Sequence, residues 1–192
     1  QNGIYSLGSK VAMISQLIYI AFASGWSHFS FSTMKEAGHT DMISNIFSWL
    51  AALSYFSFSI SLLIYKPIFG LLFQGDYVFG FTVFPYLFLS PLILMLFQIS
   101  CGQLTVIKKT YLFTSSLLLG AFCNVVLNFL LVGYFGIKGC ALATLIGYAL
   151  SLFIALTITV KQKVFRVRKK FIFASFATIV LVLSVFLYDD IS

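Results

Sequence analysis

The chain has 192 residues, of which 60% are hydrophobic and only 9% are charged. Soluble domains carry about 25% charged residues, so this chain has too few to cover an apolar core with a charged surface. The composition therefore excludes a soluble globular protein and predicts an all-α, polytopic membrane protein. The net charge of +7 does not indicate a nucleic-acid partner, because half of the basic residues lie in one short stretch, 161–170, beside an apolar segment.

Long apolar intervals follow one another along the whole chain. A membrane-spanning helix needs about 20 mostly apolar residues, and the sequence offers six such intervals without the period-two alternation of a barrel strand. The connections between them are short, which leaves no room for a soluble domain. In chain order we predict helical spans at residues 8–31, 43–65, 77–100, 111–135, 137–160 and 171–188.

The basic residues of the connections predict the orientation. Connections that face the cytoplasm carry an excess of Lys and Arg, so we expect the 161–170 loop to be cytoplasmic and both Gln1 and Ser192 to lie outside. The sequence begins at Gln1 without a signal-peptide pattern, and we expect it to be part of a longer protein. The heavier set of alternate connections holds Lys35, Lys108, Lys109 and the six basic residues of 161–170, against Lys66 and Lys138 in the other set.

Four polar side chains inside or beside the spans are candidates for function. Lys10 begins the first span, where it either serves a cavity or extends to the lipid headgroups. Asn124 and Asn128 are four residues apart and share one helix face, where amides either bridge neighbouring helices or line a wet cavity. The same two readings apply to Gln16.

The fifth predicted span carries small residues at a strict spacing of four. Such a ridge lets a second helix approach closely, so we predict that this span is packed tightly inside a bundle. The ridge consists of Gly139, Ala143, Gly147 and Ser151.

Residue patterns typical of catalysis are missing from the sequence. His28 and His39 are isolated, the three cysteines have no paired spacing, and no span contains an acidic residue. We therefore predict neither an enzyme nor a metal or other cofactor.

Three segments resemble bacterial polysaccharide flippases of the O-antigen (Wzx-like) type, within the multidrug/oligosaccharidyl-lipid/polysaccharide exporter superfamily. Residues 3–10 (GIYSLGSK) are similar to a Gly-x-Tyr-Ser segment, and residues 67–77 (PIFGLLFQGDY) to an outer loop of these proteins. Residues 124–132 (NVVLNFLLV) and 135–144 (FGIKGCALAT) resemble the pattern Asn-x-x-x-Asn, then Phe-Gly-Ile-x-Gly-Ala-Ala-x-Ala-Thr, with Cys140 where the family has Ala.

The resemblance implies that residues 1–192 are an incomplete second lobe of a two-lobe, MATE-like transporter in the bacterial plasma membrane. The implied substrate is an undecaprenyl-diphosphate-linked oligosaccharide, with Lys10 facing the diphosphate and amides and hydroxyls facing the sugar. The implied partners are the first lobe of the same protein, membrane lipids and a polysaccharide polymerase. The alternatives are a multidrug antiporter of the same superfamily, which usually needs a carboxylate within the membrane, and a membrane subunit without transport activity. The implied sugar contacts are Tyr5, Gln16, Asn124 and Asn128.

Overall fold

A computed structural model describes residues 2–73 and 75–191. Every regular element in this part of the chain is helical, which confirms the all-α prediction. The predicted outer placement of Gln1 and Ser192 falls outside the described residues. The elements are α1 (Asn2–Ser32), α2 (His39–Leu72), a 3₁₀ helix (Gly75–Thr82), α3 (Phe84–Val106), α4 (Thr110–Lys161) and α5 (Lys169–Ile191).

Four of these helices, α1 to α4, are long and apolar enough to cross a membrane, and α5 has a shorter apolar stretch at Phe171–Leu187. This arrangement is compatible with a multi-pass membrane protein. Large hydrophobic side chains on the outer faces are exposed, as expected where a helix meets lipid rather than protein. Trp49 on α2 is 77% exposed and Phe129 on α4 is 81% exposed.

The predicted fourth and fifth spans join directly within α4. A helix of 52 residues would be about 78 Å long, more than twice the hydrocarbon thickness of a bilayer. The backbone of Gly136 interrupts it, with φ 54° and ψ −134°, a conformation that glycine adopts far more readily than other residues. Gly136 thus separates a first arm, residues 110–135, from a second arm, residues 137–161, and the two fold back on each other.

Two other elements differ from their predicted bounds. α2 continues beyond residue 65 through Lys66 and Pro67 to Leu72. The Lys66 ammonium lies over the rings of Tyr65 (5.9 Å) and Phe81 (5.2 Å). These cation–π interactions stabilise the charge, so α2 continues past Lys66. The predicted third span begins instead as a 3₁₀ helix. α3 itself starts at Phe84, where a proline in the first turn suits a helix N-terminus.

α3 is the central helix of the bundle. It packs against α1, α2, α4 and the 3₁₀ helix, and most of its side chains are buried. Since it has so little outward surface, its sequence is apolar all round rather than on one stripe. The side chains buried most completely on α3 include Tyr86, Leu92, Leu96, Ile99, Gln103 and Leu104.

The bundle has two distinct ends. At one end, which we call the basic end, the α1–α2, α3–α4 and α4–α5 connections meet, as the contacts His39–Gln103, Asp41–Arg166 and Lys109–Gln162 show. At the opposite end, the turn end, Gly136 lies near the start of α1 and the last turns of α5. The hydrogen bond from Lys138 to Phe186 and the proximity of Tyr5 to Cys140 define this second end.

Candidate functional site

The small-residue ridge of the second arm lies against the first arm. All four members are buried, and a Cβ atom on Gly147 would lie 2.8 Å from Asn124 Cβ and 2.9 Å from Gly120 O. Further along, a Cβ on Gly120 would collide with the Ser151 side chain and Gly147 O. Gly139 thus meets Leu131, Gly147 meets Asn124, and Ser151 meets Gly120. Because the residue number falls along the first arm as it rises along the second, the arms form an antiparallel helical hairpin with closely spaced backbones.

The asparagine pair lies on the first arm within this hairpin. Asn128 Nδ2 donates to Asn124 Oδ1 (2.6 Å) and to the Asn124 backbone oxygen (2.9 Å). Both side chains are half-buried, and Asn124 Cβ faces Gly147 across the hairpin. The geometry gives the pair a packing position between the arms, while the half-exposed side of each amide stays accessible.

The α1 candidates lie on different faces of the helix. Tyr5 and Gln16 are half-buried on the side that packs against the bundle, and Tyr5 lies near Cys140 of the second arm. Lys10 is exposed, about 120–140° around the helix from both. It has no hydrogen-bond or ion-pair partner among the described residues. The structure therefore does not bring Lys10, Gln16 and the asparagine pair together into one site within this chain.

Lys138 is a buried residue that sequence reasoning treated only as a marker of orientation. It is 8% exposed, donates from Nζ to Phe186 O (2.8 Å), and lies 4.2 Å from the centroid of the Phe186 ring. The same ring packs on Phe135 (5.1 Å) beside the hairpin turn. Lys138 thus connects α5 to the hairpin at the turn end. Its partner lies 48 residues further along the chain, so the local sequence carried no signal of this contact.

A hydrogen-bonded network joins three helices at the basic end. The His39 ring bonds through Nδ1 to Thr33 Oγ1 (3.2 Å) and through Nε2 to Gln103 Oε1 (2.9 Å). Gln103 Nε2 donates in turn to Ser30 Oγ (3.1 Å). Gln103 is 2% exposed and Ser30 is 3% exposed, so the network lies mostly inside the protein. Sequence reasoning missed it because the partners are 64 and 73 residues apart.

Two exposed polar contacts border this network. Arg166 donates to Asp41 Oδ1 (2.8 Å), and Lys109 donates to Gln162 Oε1 (2.6 Å). Both are accessible to water, where such pairs contribute little to stability. The first contact joins the α4–α5 connection to the start of α2, and the second joins the α3–α4 and α4–α5 connections.

A cavity beside α5, which we call the apolar gap, is lined almost entirely by apolar side chains. It has a volume of about 390 Å³ between α2, α3, the second arm and α5. Its described polar lining side chains are hydrogen-bonded: Tyr55 to Ser175 (2.8 Å), and Thr178 to Ala174 O (2.9 Å). α5 is attached at both ends of this gap, by Lys138 at one and by the packing of Phe171 on Phe47 (4.8 Å) at the other. The lining residues Phe153, Ile179 and Leu183 are exposed, so the gap opens onto the apolar outer surface of the protein.

No group of three His, Cys, Asp or Glu side chains capable of holding a metal ion occurs among the residues whose placement is described. Comparison with protein-family models, with curated proteins and with solved structures finds no match for this chain. Fold and site together define an all-helical protein with several helices long enough to span a membrane.

Proposed function

We propose that the chain forms part of one lobe of a transporter that flips undecaprenyl-diphosphate-linked oligosaccharides across the bacterial plasma membrane, for surface polysaccharide synthesis. The observation that carries the proposal concerns residues 124–144, whose sequence resembles these exporters. This segment contains the turn of the tight hairpin at Gly136 and the first two ridge residues, Gly139 and Ala143. In the proposal, each arm of α4 crosses the membrane once, which gives six spans in a MATE-like lobe.

The charge distribution supports an orientation with the basic end in the cytoplasm. The basic-end connections and the helix ends beside them carry Lys35, Lys108, Lys109 and five of the six basic residues of the 161–170 cluster. Lys66 and Lys138 lie at the turn end. An excess of Lys and Arg is typical of cytoplasmic connections. The turn end then faces outward, where the transported unit would be released.

Lys10 is the residue we propose for the substrate diphosphate. Its exposed side chain has no partner among the described residues, and Ser6, Met13 and Leu17 on the same face of α1 are exposed as well. A facing lobe would complete a cavity on that side, in which an ammonium group binds a diphosphate as a point charge. Tyr5 and Gln16, half-buried about 120–140° around α1 from Lys10, are proposed as sugar contacts.

In this proposal the asparagine pair, unlike Lys10, mainly stabilises the hairpin. Asn128 is engaged with Asn124, and Asn124 packs on Gly147, so the pair first holds the hairpin together. Contact with sugar hydroxyls would use the amide surface that the hairpin leaves accessible. The apolar gap beside α5 suits the lipid part of such a substrate, because its lining is hydrocarbon.

A multidrug antiporter of the same superfamily is the alternative. Cation-coupled drug pumps typically use a carboxylate within the membrane. The acidic residues whose side chains are described, Glu36 and Asp41, both lie at the basic end, away from the helix centres. This placement favours the lipid-linked substrate.

The proposal is tested in a strain that lacks the intact gene. We expect lipid-linked repeat units to accumulate while surface polysaccharide disappears, and the wild-type gene to reverse both. Lys10→Ala should fail to reverse them, while Lys10→Arg, which keeps the charge, should restore at least part of the polymer. Lys35→Ala, an exposed lysine at the basic end, is the matched control and should behave as wild type. Unchanged polymer and intermediates in the deletion strain would reject the flippase function, and altered drug susceptibility there would favour the antiporter.

A further inference from the structure

The apolar gap separates α5 from the centre of the bundle. Among the described residues, α5 packs closely against α2 but makes only sparse contacts with α3 and the second arm, which form the opposite wall of the gap. Protein interiors are packed closely and leave few voids larger than a water molecule. A volume of about 390 Å³ is that of a ligand site, so an occupant would complete the packing of α5.

The lining of the gap favours hydrocarbon over water. Tyr55 bonds to Ser175, and Thr178 donates to Ala174 O, so the polar groups described in the lining already have partners within the protein. A buried water molecule needs two to four polar partners, which such a lining does not supply. Because the gap opens onto the apolar outer surface, the hydrocarbon that reaches it in a bilayer is a lipid chain.

The gap is long enough for a chain from one leaflet. Its lining residues extend from Phe171 to Leu183 on α5 and from Leu142 to Leu156 on the second arm. With the helical rise of 1.5 Å per residue, these stretches are about 18 Å and about 21 Å long. One leaflet supplies about 15 Å of hydrocarbon. A single acyl chain that enters from the basic end therefore covers most of the gap.

Basic side chains lie at one end of the gap, in and beside the α4–α5 connection. Lys169 precedes the lining residue Phe171 by two positions, and Lys161 follows the lining residue Leu156 by five. Four exposed basic side chains here have no ion-pair partner within the part of the chain that the structure describes. An anionic headgroup complements such a group of charges beside an apolar surface. The four, which we call the basic rim, are Lys161, Lys163, Arg168 and Lys169.

The backbone of the α4–α5 connection is held against α2, which fixes the position of the basic rim. Phe165 is buried, with its ring centroid 5.0 Å from that of Phe47, and the Phe47 ring lies 4.8 Å from Phe171 of the gap lining. The backbone nitrogen of Arg166 donates to Ser44 Oγ (3.0 Å). An aromatic cluster thus joins the basic rim to the wall of the gap.

We propose that the apolar gap and the basic rim together form a binding site for one anionic phospholipid. One acyl chain lies in the gap between α5 and the second arm, and the phosphate accepts charge-assisted hydrogen bonds from the rim. The proposal requires only that the chain lies in a bilayer, and it does not depend on what the protein transports. The lipid part of a transported substrate would have to displace the phospholipid from the same lining.

Native mass spectrometry of the 192-residue chain tests the proposal. The chain is reconstituted in nanodiscs with equal amounts of phosphatidylglycerol and phosphatidylcholine that carry the same acyl chains, and the lipids that stay bound after release are identified by mass. We expect one phosphatidylglycerol per chain, with phosphatidylcholine retained at least about tenfold less. Equal retention of the two lipids, or a lipid-free dimer, would overturn the proposal. In a second sample that also contains undecaprenyl phosphate, retention of that lipid in place of phosphatidylglycerol would assign the gap to the transported lipid and reject the phospholipid site.

A matched pair of alanine variants tests whether the acyl chain lies in the gap. Ala149 is an exposed residue of the gap lining, whereas Ala177 is exposed on α5 outside that lining. Ala149→Phe places a ring where the acyl chain would lie and should lose the bound lipid, while Ala177→Phe should retain it. Equal retention of phosphatidylglycerol by the two variants, with helix content unchanged in circular dichroism, would show that the lipid does not use the gap.

Neutral substitutions test the part of the basic rim. Each basic side chain near an anionic headgroup contributes about fivefold in affinity, so Arg168→Gln/Lys169→Gln should lower the retention of phosphatidylglycerol by more than about tenfold. The control, Lys35→Gln/Lys108→Gln, removes two exposed charges from the other basic-end connections and should retain the lipid as wild type does. Equal losses in the two double variants would indicate a general effect of charge and would contradict a site at the rim.

Discussion

Adding one methyl group to Gly147 should separate the arms of the hairpin. A Cβ atom there would lie 2.8 Å from Asn124 Cβ and 2.9 Å from Gly120 O, about 0.6 Å inside ordinary contact distance. Both neighbours belong to the opposite helix and one is backbone, so relief requires the arms to move apart. Overpacking of this kind costs about 1–3 kcal/mol, and we expect Gly147→Ala to lower the free energy of unfolding by that amount.

The same chain provides a matched control. Gly133 lies on the first arm near the turn, and a Cβ atom there would meet nothing within 4 Å. Because alanine favours the helix over glycine by up to about 1 kcal/mol, Gly133→Ala should leave stability unchanged or raise it. Gly120→Ala, which would meet Ser151 and Gly147 O, should behave like Gly147→Ala.

Unfolding of the purified chain in mixed detergent, by titration with dodecyl sulfate and circular dichroism, measures these differences. Each 1.4 kcal/mol corresponds to about a tenfold change in the unfolding equilibrium. If Gly147→Ala and Gly120→Ala unfolded at the same detergent fraction as Gly133→Ala, the close approach of the two arms would be refuted.

Three further outcomes are expected from the same structure. Asn128→Ala removes the donor to Asn124 and should cost about 0.5–1.5 kcal/mol in the same unfolding titration; no measurable loss would contradict the hydrogen bonds described. Lys138→Met removes a charge-assisted hydrogen bond of about 1.5–3 kcal/mol, so amide hydrogen exchange in α5 should accelerate, with Lys138→Arg as the conservative control, and equal exchange in all forms would argue against a connection through this residue. Brominated lipid chains should quench Trp49, which is 77% exposed, far more than Trp26, which is 7% exposed; single Trp→Phe variants separate the two, and equal quenching would contradict the assigned faces of α1 and α2.

The positions of the helices could be predicted from the sequence because charge-free apolar intervals are a local property. Their ends could not always be predicted. Charge was used to end the second span at residue 65, but Lys66 rests on aromatic rings, one of them from a segment 15 residues further on. A contact of this kind depends on the tertiary fold and leaves no local pattern.

Among the candidate residues, those that follow from a local sequence pattern could also be predicted, and those that depend on tertiary contacts could not. The ridge of the second arm follows from a spacing of four, which is again local, and its members are buried against the first arm. The network around His39 depends on Gln103 and on Ser30, which the fold brings together from separate helices. Lys138 meets its carbonyl partner 48 residues away. An isolated histidine and a lysine near a turn carry no sign of these partners in a single sequence.

The direct junction at Gly136 bears on how the protein is synthesised. In the six-span arrangement, the two arms are joined with almost no polar segment between them. The junction must cross the membrane during insertion, and Lys138, two residues after Gly136, is the charged residue beside it. The first arm would expose the asparagine pair to hydrocarbon if it left the translocon alone, and the amide atoms that the bond within the pair does not use are costly there. The second arm, which follows immediately on the ribosome, covers that face with its glycines. We therefore expect the arms to insert together as a preformed pair, so that a ribosome stalled before the second arm is complete leaves the first one retained at the translocon.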